Sequence, residues 1–133
     1  MDHRIAVVVL ETLGPGEAAN VAALLTGQIG RGNPIYFNAD VALDAEGVWH
    51  AAPIFSVVLL KAKNASQLSK LARESLTSTI CFSRLGQTFH NAFPEYAKKL
   101  AELSTEAAGL VGVAVYGDDQ LVRAATRKFS LLK

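Results

Sequence analysis

The chain holds one cysteine, one methionine and one tryptophan in 133 residues, and aromatics make up only 8% of it. A lone cysteine, Cys81, excludes an internal disulfide and suits a reducing, cytoplasmic setting. Charge of either sign is in short supply. Thirteen Lys+Arg face twelve Asp+Glu, a formal +1, so net charge gives nucleic-acid binding no support. Lys98, Lys99, Arg123, Arg127, Lys128 and Lys133 do gather in the C-terminal third, where scattered solvated charge is the plainer reading. There is no long hydrophobic run either. The apolar stretch Ile5–Leu10 is too short for a signal-peptide core or a bilayer span, so no membrane association is expected. Low-complexity tracts and internal repeats are missing, as are a Walker pattern and a GxGxxG, which leaves a nucleotide phosphate loop unsupported. His3, His50 and His90 lack metal-ligand spacing, and no metal or cofactor is expected.

What is present is apolar: half of the residues are hydrophobic. The length suits one domain, residues 1–133, with one sizeable core. Ile5-Ala6-Val7-Val8-Val9-Leu10 is an unbroken, largely β-branched run, the pattern of a strand buried on both faces. Leu13-Gly14-Pro15-Gly16 turns the chain into a helix from Glu17 to Ile29. Ala18, Val21, Ala22, Leu25 and Ile29 line one face of that helix, and Gly30 and Gly32 end it. Val41-Ala42-Leu43 and Val48-Trp49-His50 flank the turn Asp44-Ala45-Glu46-Gly47 as a small hairpin. A second buried strand follows over Ile54–Lys61, with Val57–Leu60 expected near the centre of the sheet. Asn64 or Ser66 caps a helix to Leu76, with Leu68, Leu71, Ala72 and Ser75 inward. Thr77–Phe82 is a third strand, Pro94 opens a helix to Ser104, and Leu110–Tyr116 is a fourth strand. Asp118 caps a short helix to Ala125, and the tail Arg127–Leu132 pairs antiparallel or at an edge. The expected fold is α/β: a three-layer sandwich with a mixed, mostly parallel four- or five-stranded sheet and an added hairpin. The high apolar fraction in a small chain also predicts a homo-oligomer, a dimer.

Three stretches carry a family resemblance. The first is the opening strand, the Leu-Gly-Pro-Gly turn and the alanine-rich helix Gly16-Glu17-Ala18-Ala19-Asn20-Val21-Ala22-Ala23. The second is Leu59-Leu60-Lys61-Ala62, the helix Gln67–Leu76, a strand, and Arg84-Leu85-Gly86-Gln87-Thr88. The third is the C-terminal quarter, Gly112–Asp119 through Thr126-Arg127-Lys128-Phe129-Ser130-Leu131-Leu132. In order and spacing they resemble the type II peptidyl-tRNA hydrolases. With the added Tyr36–His50 hairpin and Phe89–Ala108 helix, the chain is similar to an uncharacterised bacterial family, a domain of unknown function, of that fold. The resemblance implies the hydrolase fold without its chemistry. The family's helix-start lysine falls at or near Glu17, its histidine near Ala23 or Leu24, and its aspartate at Arg84. Gly86, Thr88 and Thr126 are kept, but Arg127 and Lys128 replace a Gly-His pair. Activated water and phosphate-binding cations are both lost, so little or no peptidyl-tRNA hydrolysis is expected.

Candidate site residues follow from position. Arg84, Gln87, Thr88 and His90 form the densest polar group, in a loop just after the third strand, where α/β sheets collect ligands. Glu17 and Asn20 lie one turn apart at the start of the first helix. If the two preceding strands run the same way, Glu17, Asn20, Arg84, Thr88 and His90 wall one cleft, and a Glu17–Arg84 pair orients a guanidinium for a small anionic ligand. Simpler readings stay open: Glu17 complements the helix dipole, Gly14-Pro15-Gly16 is only a tight turn, and Asp44 is only a turn residue that faces His50 or points away from it. Cys81 reads either as a small apolar strand residue or as a nucleophile needing a base such as His90. Whether the chain is an enzyme is open among three functions. They are a diverged binding domain, a small hydrolase or transferase working from the Arg84–His90 loop, and a rearranged peptidyl-tRNA hydrolase.

Overall fold

The structure, a computed structural model, describes residues 2–89 and 92–132. Its strands are β1 (His3–Leu10), β2 (Ala42–Leu43), β3 (Trp49–His50), β4 (Ser56–Ala62), β5 (Ser78–Ser83), β6 (Leu110–Asp118) and β7 (Ser130–Leu131). Its α-helices are α1 (Pro15–Gly32), α2 (Ala65–Glu74), α3 (Arg84–Thr88), α4 (Phe93–Ala101) and α5 (Asp119–Thr126). Five strands form one mixed sheet in the order β5-β6-β1-β4-β7, and β2-β3 is a separate hairpin.

Strand β1 sits at the centre because it has no polar face to expose. Ile5 to Val9 are all at most 1% exposed. Alternate residues serve two cores. Ile5, Val7 and Val9 meet Val21, Leu25 and Ile29 of α1, while Ala6 and Val8 meet Leu68 and Leu71 of α2 and Val122 of α5. These are the three layers the apolar pattern implies. The buried stripe of α1 is Ala18, Val21, Leu25 and Ile29, with Ala22 packed at its border. The helix starts at Pro15, whose fixed φ and missing N–H suit a first turn. It outruns its expected end by one turn, and Asn33 closes it, its backbone N–H donating to the Ile29 carbonyl. Asn64 caps α2 by accepting from the Gln67 N–H, and Asp118 caps α5 by accepting from the Leu121 N–H.

The balance within the sheet departs from the expected parallel majority. Only β1/β4 is parallel, while β1/β6, β5/β6 and β4/β7 are antiparallel. Alternating helices and strands invite a parallel reading. Here the one crossover that stays on the sheet with parallel strands runs through α1 and the hairpin. Strand β4 is also less central than its leucines suggest, since it lies second from the edge with Val57 44% exposed. Strand β6, between β5 and β1, is the second buried strand. The tail does pair antiparallel at the edge: Leu60 faces Leu131, and Lys61 faces Ser130.

The hairpin forms where it is expected. Gly47 takes φ +82°, a turn conformation that a side chain would strain. Asp44 Oδ1 accepts from the N–H groups of Glu46 and Val48 at 2.9 and 3.0 Å, and Oδ2 lies 2.8 Å from His50 Nε2. The two side chains therefore face each other across the turn. These contacts, the His50 bond first, hold the Asp44 carboxyl below its ordinary 3.8. A carboxyl lowered on folding supports the turn fully above its unfolded value and stops doing so as pH falls through the lower, folded one. The amide shifts of Glu46 and Val48 are expected to titrate with a midpoint below 3.8. A midpoint at or above that value would show that the bonds do not form.

Candidate functional site

Strands β1 and β5 both run antiparallel to β6, so they run in the same direction and their carboxyl ends share one side of the sheet. Helix α1 follows the first and α3 the second, which brings residues far apart in sequence to one rim. The local cause at β5 is a cap. The Ser83 hydroxyl accepts from the Gly86 N–H at 3.1 Å, turning the strand directly into a short helix where the sequence reads as a loop. The Arg84 N–H donates to the Gly109 carbonyl at 2.8 Å, which fixes where that helix begins.

The rim is built on Glu17. Its Oε2 accepts from Arg84 Nη1 at 2.8 Å and from Gln87 Nε2 at 3.0 Å, and Gln87 Oε1 in turn accepts from Arg84 Nη1 at 2.9 Å. The triangle is closed and half exposed, with the Arg84 side chain 55% and the Glu17 side chain 39% accessible. Both Arg84 bonds use Nη1. Among the described residues Nε and Nη2 make no hydrogen bond, which leaves donors for a planar acceptor.

Beside the triangle opens a cleft of about 620 Å³ lined by Glu17, Asn20, Leu24, Phe82, Gly86, Gln87 and Phe89. Of the expected residues, Glu17 and Asn20 stand on its wall, and Arg84 reaches its edge through Glu17 and Gln87. Thr88 does not line it, because its hydroxyl donates to the Leu85 carbonyl at 2.8 Å within its own helix turn. His90 lies outside the described residues. Sequence reasoning missed the apolar half of the cleft, Leu24, Phe82 and Phe89. Leu24 carried a signal: it is a leucine off the buried stripe of α1, and it is 48% exposed.

Cys81 sits on the edge strand β5 and is exposed. A smaller cleft of about 210 Å³ lies against it, with Tyr96, Leu100 and Leu103 opposite. Atoms crowding the sulfur push its thiol pKa up by desolvation, so at neutral pH it is a thiol, not the thiolate a nucleophile needs. Among the described residues, no three His, Cys, Asp or Glu side chains cluster as a metal site would require. No helix there is long and apolar enough to cross a membrane.

The comparisons with known proteins agree on kind rather than on activity. A family profile described as "Protein of unknown function (DUF2000)" matches residues 3–133. A solved structure of a protein of unknown function from Agrobacterium tumefaciens strain C58 is similar with a TM-score of 0.83. It is 23% identical, with 98% of each chain covered, a likeness that speaks for the fold. No curated protein matches the chain.

Proposed function

The chain belongs to the DUF2000 family, and from that premise we propose that it is a diverged binding domain of the peptidyl-tRNA-hydrolase-like fold. Its ligand in this reading is a small anion, a carboxylate or a phosphate, held at the Glu17–Arg84–Gln87 rim. The observation that carries the reading is the 2.8 Å Glu17–Arg84 pair at the mouth of a half-apolar cleft. Glu17 occupies one nitrogen of Arg84 as a ligand's own carboxylate would, and Gln87 bonds to both side chains. The apolar wall of Leu24, Phe82 and Phe89 suits an anion with a hydrocarbon or ring body. The positions corresponding to the hydrolase lysine, histidine and aspartate carry no matching side chain, which favours binding over peptidyl-tRNA cleavage. The protonated Cys81 thiol favours it over nucleophilic chemistry.

Two variants test this in calorimetric titrations with inorganic phosphate and with small aliphatic and aromatic carboxylates. Arg84→Ala is expected to weaken binding by roughly 10- to 100-fold, the loss of charge-assisted hydrogen bonds. It should leave the melting temperature nearly unchanged, since an exposed pair contributes ~0–1 kcal/mol. Glu17→Gln removes the internal competitor and is expected to tighten binding by up to about 5-fold. If no anion of either class binds the unaltered protein, or if Arg84→Ala binds as well as it does, the site is elsewhere.

A further inference from the structure

The hairpin is an arm whose strands are exposed along both residues of each. Among the described residues, β2 and β3 make their main contacts with each other, and the Phe37–Pro53 bridge and the Asn38–Ala52 bonds tie only the arm's base. Yet the arm is where the molecule's apolar surface collects. Seven of the twelve large hydrophobics that are exposed among the described residues lie within residues 35–57, and Trp49, the chain's one tryptophan, is 70% bare. Leu43 pairs across the strands with Trp49, so the two share a face, and Val41 joins them by the two-residue repeat. Asp44 and His50, bonded to each other, take the opposite face.

We propose that this arm is the interface of a symmetric homodimer, its Leu43–Trp49 face packing against the same face of a second copy.

Three observations select a second copy as the occupant. The first is shape. A two-fold interface needs a knob and its hole on one patch. Trp49 is the knob, and it also walls a concavity of about 370 Å³ together with Phe37, Asn38, Asp40, Ala51 and Ala52. Each copy's indole can enter the other's concavity by the same operation. The second is area. Val41, Leu43 and Trp49 leave roughly 400 Å² bare on that one face, the size at which an apolar patch on a small protein marks an interaction site. The third is the lack of a basic deterrent, the arm's acidic residues being Asp40, Asp44 and Glu46. No lysine or arginine occurs from Gly32 to Leu60, although such residues are the usual guard on an exposed strand. The adjoining edge of β4 is likewise open before Leu59, because β7 pairs only with Leu60 and Lys61.

The arm is also pre-set rather than loose. Tyr36, just before it, is 3% exposed, and its ring meets Phe55, just after it, edge-on at 5.9 Å, with His3 of β1 packed against both. An arm clamped at both ends by aromatics loses little freedom on docking.

Trp49 makes the test specific. Light scattering of the full chain at tens of micromolar is expected to give twice its 14.2 kDa. On dilution through the dissociation range, Trp49 emission should move to longer wavelength as the indole meets water. Leu43→Glu places a charge in the packed face and keeps the tryptophan. It is expected to run as a monomer with unchanged far-ultraviolet circular dichroism and the red-shifted emission at every concentration. A monomer at 14.2 kDa for the unaltered chain overturns the proposal. So does a dimer that dissociates with no change in Trp49 emission, a reading that needs no variant to fold. An intact Leu43→Glu dimer would count equally against it.

Discussion

Gly112→Ala is expected to destabilise the protein by about 1–3 kcal/mol, and Val21→Ala is expected to relieve part of that loss. Gly112 lies on β6 beneath α1. A methyl group there would stand 2.6 Å from Val21 Cγ1, closer than carbon atoms approach, and a tight 3.2 Å from Leu25 Cδ1. Both neighbours are buried, and a β-branched residue in a helix keeps essentially one rotamer, so Val21 cannot swing aside. The helix must lift from the sheet instead. Alanine would gain ~0.4–1 kcal/mol from a stiffer unfolded chain, and Gly112 has no positive φ to strain it. The collision is therefore the larger effect. In the double variant, the new methyl group fills the space Val21 gave up. Chemical denaturation should show the two losses adding to clearly more than the double variant's loss. Simple additivity would mean that α1 and β6 do not meet at this point.

Leu68→Ala and Leu76→Ala make the same chemical change at two ends of the scale. Leu68 is fully buried between α2 and the β1–β6 part of the sheet, whereas Leu76, just past α2, is 88% exposed. The first is expected to cost about 2–5 kcal/mol, lost transfer energy plus a cavity that the layer cannot close. That is a large share of the ~5–15 kcal/mol that holds a domain folded. The second is expected to stay within about 0.5 kcal/mol. Equal midpoints for the two variants in urea would show that α2 packs through a different face.

These contrasts mark where the sequence was informative. An apolar run without polar interruptions, such as Ile5–Val9, has only one place in a three-layer fold, and the i, i+3, i+7 and i+11 spacing of Ala18, Val21, Leu25 and Ile29 has one helical face. Caps at Asn64 and Asp118 and the glycine at position 47 are local, and local chemistry is readable without the rest of the chain. Strand direction is not local. The same pattern of helices and strands fits several sheets, so the single parallel pair could not be deduced. The meeting of Glu17 with Arg84 depended only on β1 and β5 running the same way, which an intervening antiparallel strand preserves as well as a parallel one does. The bond from the Thr88 hydroxyl to the Leu85 carbonyl three residues back could not be foreseen, because it appears only once the loop is seen to be a helix. The apolar wall was missed because nothing in a leucine or a phenylalanine distinguishes a cleft from a core.

The position of β1 has a consequence for how the protein is made. Its antiparallel neighbour, β6, comes from the other end of the chain, with His3 set against Asp118 and Val7 against Ala114. At ordinary elongation rates, residues 3–10 are synthesised on the order of 5–20 s before residues 110–118 exist. During that interval the most apolar strand of the molecule has at best its parallel partner β4. Pairings between distant segments also close slowly once both are present. The nascent chain is thus exposed to misassembly through the segment that the finished protein hides best, and its dependence on chaperones should track Ile5–Val9 rather than any surface feature.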